Sequence, residues 1–532
     1  MVRPLGAQRG NACRRPVRRS IRRCCSARGS RGTNSRCVQR CREAVVAPGY
    51  SARRGERATA SRCNATDHHR PSTLESAQSG SAGVMRETWA SRFGFIMATA
   101  GFAVGLGNIW RFPYVTGMNG GGAFLLLYLT MVVLIGLPLI TAEISLGRRA
   151  QLTPIAGMWK LTGSRTSGWN LVSWLGLLGA VMINAYYLMV AAWIVGYFVM
   201  IATGQFAGAG AEQIAATFSV FTTSMGPLFL YSSIILAVMV IVATRGLQGG
   251  LERMSKIAMP LLLSMMVVLA IWSATFPGAA EGLAWYLTPD FSAITASSAL
   301  AALGQAFFSI GIGMAAAFAL GSFLHREHSN VPGDAAIVVA CDTAVAVLAG
   351  LVMFPALFAF GLEPDAGPSL LFITMTRLFA EMPGWTIFGS AFFFLLILAA
   401  MTSLVAMFEV MTSTLTDATG WDRRTGVRVV AIAWAALTSL VILAQGPLAG
   451  TWAFGFSLFD FLDLGAERVM LPLAGLMIAL YVTYGWGFAD FREQTNRGAG
   501  GFRVSSLWKP LVVALIPVAV AVVVLRGWGL LG

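Results

Sequence analysis

Several polar side chains stand inside long apolar runs, where a hydrocarbon surrounding would leave them costly unless something pairs with them. Asn108 and Arg111 follow a glycine-rich stretch, and Glu143, Tyr186, Tyr187, Gln305 and Ser309 occupy later runs. Asp342, Thr402, Ser403, Glu409, Asp460 and Asp463 complete the set. Taken singly, a Ser or Thr here satisfies its hydroxyl on the carbonyl one turn back, and for Thr402 alone that reading wins. Together, an amide, a carboxylate, hydroxyls and free carbonyls form a donor set suited to a hard cation such as Na⁺. Zinc or copper would call for His and Cys clusters. The four His residues lie in the leader and at His325 and His328, without an H-E-x-x-H, and Cys341 beside Asp342 reads as a small buried residue.

Two of the apolar runs are interrupted by glycine at matching places. One reads Ala103-Val104-Gly105-Leu106-Gly107-Asn108, the other Ser309-Ile310-Gly311-Ile312-Gly313-Met314. A Gly-x-Gly lets a helix unwind, and unwound backbone at membrane depth survives only where it lines a cavity or coordinates something. Close helix packing through small residues is the alternative for a single break. Paired breaks favour a binding site. Neither Gly-x-Gly follows a strand or precedes a suitably spaced acid, so neither is a dinucleotide fingerprint.

The elements that must carry these residues are helices. Apolar runs predict spans near 94–117, 123–147, 171–202, 227–244 and 250–276, then 299–323, 334–361, 385–417, 428–445, 455–487 and 508–528. That is about eleven, with each break in the first span of a group of five, the order of an inverted repeat. Lys and Arg concentrate in alternate loops: Arg148, Arg149, Lys160 and Arg165, then Arg245, Arg253 and Lys256, Arg326, Arg423, Arg424 and Arg428, and Arg492, Arg497, Arg503 and Lys509. The loops at 204–226, 277–298 and 446–454 carry essentially none, although Arg377 lies in 362–384. The bias places the N-terminus in the cytoplasm and the C-terminus outside, which for a bacterial chain means the inner membrane.

Composition agrees. Of 532 residues, 56% are hydrophobic and 12% charged, too little charge to cover a soluble surface. The net charge of +15 suggests a nucleic-acid partner until it is located: 18 Arg, no Lys and 4 acidic residues fall in 1–84, leaving the rest nearly neutral. This leader also holds Cys13, Cys24, Cys25, Cys37, Cys41 and Cys63 at spacings that match no zinc motif. Upstream sequence translated from a mis-assigned start, with Met85 the true first residue, is the favoured expectation. A basic arm for nucleic acid or anionic lipid, a targeting segment lacking an apolar region, and a disordered tail are the others. The expected organisation is thus a basic disordered leader over 1–84, a ten-helix core over 85–490 and an eleventh helix within 491–532.

The motifs resemble the sodium:neurotransmitter symporter family, in its bacterial leucine-transporter-like branch. The likeness runs from Arg86 to about residue 485. It is carried by Arg86-Glu-Thr-Trp89, Gly101-Phe-Ala-Val-Gly-Leu-Gly-Asn-Ile-Trp-Arg-Phe-Pro113, Asn119-Gly-Gly-Gly-Ala-Phe124, Gly304-Gln-Ala-Phe-Phe-Ser-Ile-Gly-Ile-Gly-Met314 and Met401-Thr-Ser403. It implies an all-α membrane fold with a five-plus-five inverted repeat and discontinuous helices 1 and 6, two Na⁺ sites and an amino-acid substrate. The first sodium site would use Ala103, Asn108, Ser309 and Asp342, where relatives often carry Thr and Asn at the last two. The second would use carbonyls of Gly101, Val104 and Ala399 with hydroxyls of Thr402 and Ser403.

By the same resemblance, the substrate carboxylate would meet the first sodium, the amides around Leu106 and Gly107, and the Tyr187 hydroxyl. Its side chain would lie among Ile183, Phe308, Met314 and Met407, with Ser403 nearby, which suits a hydrophobic amino acid. Gly311 stands where the family often has Ser and is expected to leave room. Arg111 with Asp463 would form the external gate, and Arg86 with Asp417 the internal one beneath Trp89. Phe323 replaces a tyrosine that supports the internal gate, so looser inward closure is expected, and the family's twelfth helix is missing. A channel would need a polar pore or a carbonyl filter, and an intramembrane enzyme a nucleophile–base or metal set; neither pattern is legible. The amino acid and the oligomeric state are not legible either, and membrane lipid is the only other partner expected.

Overall fold

The computed structural model describes residues 86–527 apart from 326–329, 363–369, 381, 383, 451, 453, 454 and 499. The leader, Arg326 and His328 therefore lie outside the described residues.

The apolar runs form helices because a backbone in hydrocarbon must satisfy its N–H and C=O groups within the segment itself. Helix α1 (Arg92–Ala103) and helix α2 (Gly107–Met118) are one run broken and bent by 51°. Helices α3 (Gly122–Ala150), α4 (Gly168–Ala202), α5 (Met225–Thr244) and α6 (Leu247–Ser273) follow. The second group opens with another broken pair, α7 (Ala296–Ile310) and α8 (Ala316–Gly321). It continues with α9 (Val331–Ala359), α10 (Trp385–Thr419), α11 (Arg423–Gln445) and α12 (Leu458–Thr495). Helix α13 (Trp508–Leu525) is last. The described residues thus hold nine unbroken helices long and apolar enough to span, and the bent first pair makes a tenth. The second broken pair fills the place of the sixth expected span. Short helices at Ala211–Thr223, Ala279–Leu287 and Thr374–Ala380 lie in the connections.

The breaks fall at the expected places, for reasons readable in the backbone. Helix α1 starts at Ser91, whose hydroxyl accepts from the Gly94 N–H at 3.0 Å. It ends where Val104 turns to ψ 109°. The second break is built from left-handed residues: Gly311, Gly313 and Ala315 have φ of 71°, 78° and 58°. For Gly this costs little, whereas for Ala315 it is strained, and strain of that kind persists where surrounding contacts hold it. One such contact is the Gly313 N–H, which donates to the buried Glu143 Oε1 on α3 at 2.6 Å.

Helix α12 departs from the expected 455–487 by running on to Thr495, with π-helical turns at Ala466–Met470 and Tyr481–Gly487. Each π turn shifts the helical face that follows it. That shift matters for the pair expected to form the external gate.

Candidate functional site

Where α1 stops, its last turn leaves carbonyls without helical partners, and α10 passes beside them. The Ser403 Oγ lies 3.3 Å from the Gly101 carbonyl, 3.1 Å from those of Phe102 and Val104, and 3.3 Å from that of Ala399. One hydroxyl proton cannot serve four acceptors. The Thr402 hydroxyl stays on the carbonyls of Leu398 and Ala399, at 3.1 and 2.9 Å, the usual helical habit. All five residues expected at the second sodium site are gathered here, and the Phe102 carbonyl joins them. Several oxygens around one proton is a set that a small hard cation would satisfy.

A second polar cluster lies across the break, on α2, α7 and α9. The Asn108 Nδ2 donates to Ser309 Oγ at 2.8 Å and to Asp342 Oδ1 at 2.7 Å, while the Asn108 Oδ1 accepts from the Gly105 N–H at 3.0 Å. Ser309 Oγ donates to Asp342 Oδ2 at 2.9 Å. Asn108 and Asp342 are fully buried and Ser309 nearly so. The Tyr128 hydroxyl on α3 completes the group, donating to Ser309 Oγ at 3.2 Å. A buried carboxylate ringed by neutral donors carries its charge without a cationic side chain among those contacts, so the donor chemistry fits a sodium ion. Ala103, the fourth expected member, lines the cavity described next.

Between the clusters lies a cavity of about 50 Å³, room for several waters. Its wall carries every residue expected around the substrate: Ala103, Leu106, Gly107, Ile183, Tyr187, Phe308, Ser309, Gly311, Met314, Ser403 and Met407. Phe102, Gly105 and Asn184 also line it. The Leu106 N–H donates to the Tyr187 hydroxyl at 3.2 Å. Gly105 runs so close that an added Cβ would meet both Ser403 Oγ and Tyr187 Oη at 2.9 Å. Gly311 does not leave the room expected of it. A Cβ there would lie 2.5 Å from the Phe102 ring, so Phe102 already fills that space.

At the pair expected to form the internal gate, Arg86 meets Asp417 at 2.9 Å and donates to the Gln151 carbonyl and the Ser322 hydroxyl, each at 2.8 Å. Asp417 also accepts from the N–H and hydroxyl of Thr153, both at 2.8 Å. Burial lowers the Arg86 pKa more than Asp417 raises it, yet a guanidinium keeps its charge at neutral pH. Phe323 does not loosen this contact. Its ring lies 4.8 Å from the Arg86 guanidinium carbon and edge-to-face with the Trp89 ring at 6.3 Å, so cation–π attraction stands where a tyrosine hydroxyl would act. Trp89 is buried above it and donates its indole N–H to the Leu320 carbonyl at 3.0 Å.

The pair expected at the external gate is formed differently. Arg111 is bonded to Glu467, not Asp463, and its guanidinium lies 4.8 Å from the Phe308 ring centre. Asp463 accepts instead from the Tyr186 hydroxyl at 2.6 Å. The two acids are four residues apart on α12, and the π turn at Ala466–Met470 presents Glu467 to the arginine. An ion pair thus stands on each side of the cavity.

Sequence reasoning missed Tyr128, Phe102, Asn184 and Glu467. Tyr128 and Asn184 were open to detection as polar groups in apolar runs, by the same rule that singled out Tyr187. Phe102 reads as one more core aromatic, and nothing in its type marks it.

A family model described as the sodium:neurotransmitter symporter family matches residues 86–219 and 211–528. The chain is 34% identical over 453 residues to a Bacillus subtilis protein described as the uncharacterized sodium-dependent transporter YhdH, covering 83% of this chain and 98% of that one. A sodium- and chloride-dependent creatine transporter of Oryctolagus cuniculus is 29% identical, over 75% of this chain and 71% of that protein. The crystal structure of MhsT in complex with L-phenylalanine superposes with a TM-score of 0.75 at 37% identity, covering 83% of this chain and all of that one.

Proposed function

The chain belongs to the sodium:neurotransmitter symporter family, and from that premise we propose that it couples Na⁺ entry to uptake of a small, largely hydrophobic amino acid by alternating access. It is an integral membrane, sodium-dependent transporter and not an enzyme. The observation that carries the finer reading is the placement of one cavity between two oxygen clusters, at the meeting of both helix breaks.

Each part of the cavity has a role in this reading. Asn108, Ser309 and Asp342, with the Ala103 carbonyl, would hold one Na⁺; the carbonyls of Gly101, Val104 and Ala399 with Thr402 and Ser403 would hold a second. The ions neutralise oxygens that otherwise face one another, so binding them favours the state in which α1 is docked on α10. The substrate carboxylate would take the Leu106 N–H and the Tyr187 hydroxyl, which now bond each other at 3.2 Å, together with the first sodium. Its side chain would then lie on Ile183, Phe308, Met314 and Met407. L-Phenylalanine bound to MhsT supports an amino acid as cargo. The arginine-rich loops support an inner-membrane location with Arg86 at the cytoplasmic face.

A screen of the twenty amino acids for binding in NaCl and in KCl tests this reading. We expect one or a few neutral amino acids to bind in NaCl and none in KCl. Equal binding in both salts would remove the coupling, and binding of none would remove the substrate class.

A further inference from the structure

Resting on the substrate class above, we propose that Asn184 selects amino acids whose side chain carries an O–H or N–H donor over those of the same shape that lack one.

Asn184 is the one carboxamide among the residues that line the cavity, and it is 5% exposed. Its orientation is fixed by chemistry. One end of the amide lies 2.6 Å from the Ala180 carbonyl, one turn earlier on α4, and a carbonyl can only accept, so that end is the Nδ2 donor. The Oδ1 acceptor must then point the other way. No described residue donates to it, and it is not among the polar atoms sealed from solvent without a partner; the cavity is the opening that Asn184 lines. An acceptor with no protein donor on the wall that also carries Ile183, Met314 and Met407 is complementary to a donor on the ligand's side chain.

The residue is also held in place. The Trp434 indole N–H on α11 donates to the Asn184 carbonyl at 2.8 Å, and Trp434 stacks on Phe408 of α10 at 5.5 Å. Asn184 sits three residues before Tyr187 on the same face of α4, about one turn from the hydroxyl assigned to the substrate carboxylate. In the proposed pose, a ligand anchored by its carboxylate at Tyr187 would lay its side chain along the wall that Asn184 shares with Ile183. When a ligand without a donor fills the cavity, it takes away the water that Oδ1 would otherwise use. The acceptor is then buried unpaired, and the penalty falls on the ligand lacking the donor.

The test compares ligands that differ in one donor. Dissociation constants are measured in NaCl for tyrosine against phenylalanine, threonine against valine, and tryptophan against 1-methyltryptophan, on the wild type and on Asn184→Leu. We expect the donor member of at least one pair to bind roughly tenfold more tightly to the wild type, the size of one buried hydrogen bond. Asn184→Leu should bring that ratio near one while still binding the donor-free member in NaCl. Wild-type ratios at or below one in all pairs that bind would overturn the inference while leaving the proposed function standing, and this needs no variant. A ratio that survives Asn184→Leu would also overturn it. Binding of no amino acid by the wild type would overturn the proposed function and this inference with it.

Discussion

Asp342 decides how the first oxygen cluster handles charge. Its carboxylate, held by Asn108 at 2.7 Å and Ser309 at 2.9 Å, is a fixed negative group beside the place assigned to a sodium ion. A chloride ion placed there would offset the same charge, and one relative is described as sodium- and chloride-dependent. Uptake with gluconate in place of chloride should therefore be unchanged, and Asp342→Asn should create a defect that added chloride partly relieves. A large fall of wild-type uptake in gluconate would count against this assignment. Gly311 gives a second prediction at the same scale. With φ at 71° and the Phe102 ring in the way, Gly311→Val should lower thermal stability in detergent and weaken all substrates together. Adding Phe102→Ala should restore part of the loss, an interaction of about 1 kcal/mol or more between touching residues. Strict additivity of the two changes would show that the ring is not the obstacle. Asp342 was legible in the sequence because an acid in an apolar run has few explanations. The Gly311–Phe102 contact was not, because it depends on how two separate breaks meet.

At the scale of elements, the two broken helices were readable from glycine spacing, since unwound backbone inside a membrane needs Gly and a reason to be there. The outer gate was not. Asp463 and Glu467 lie four apart on one helix face, and a sequence cannot choose between them when a π turn intervenes. Glu467→Gln should therefore weaken outer closure more than Asp463→Asn, read as faster access of a reagent to a cysteine placed in the outer path. The reverse order would restore the expected Arg111–Asp463 pair. At the proposed internal gate, Asp417→Ala removes the partner of Arg86 and of Thr153 at once. A cysteine at Ser322, whose hydroxyl now accepts from Arg86, should become more reactive in that variant. Breaking a half-buried pair that carries several hydrogen bonds costs on the order of 2–4 kcal/mol, enough to repopulate the inward-open state. Unchanged labelling would mean that Trp89 and Phe323 close the inner face without the ion pair.

For the whole molecule, the proposed cycle assigns ion pairs on both sides of one cavity to a state between outward-open and inward-open, and requires that each gate open in turn. A bias of a few kcal/mol toward any one state would depopulate the others, so the energy that drives accumulation must come from the ions that bind with the substrate. The direct measurement is uptake into proteoliposomes of the amino acid that binds best, with Na⁺ outside and K⁺ inside, against equal Na⁺ on both sides. The account predicts accumulation above the external concentration under the gradient, and only equilibration, with no accumulation, when Na⁺ is equal. Accumulation that persists without a Na⁺ gradient, or uptake that proceeds as fast in K⁺ alone, would contradict it.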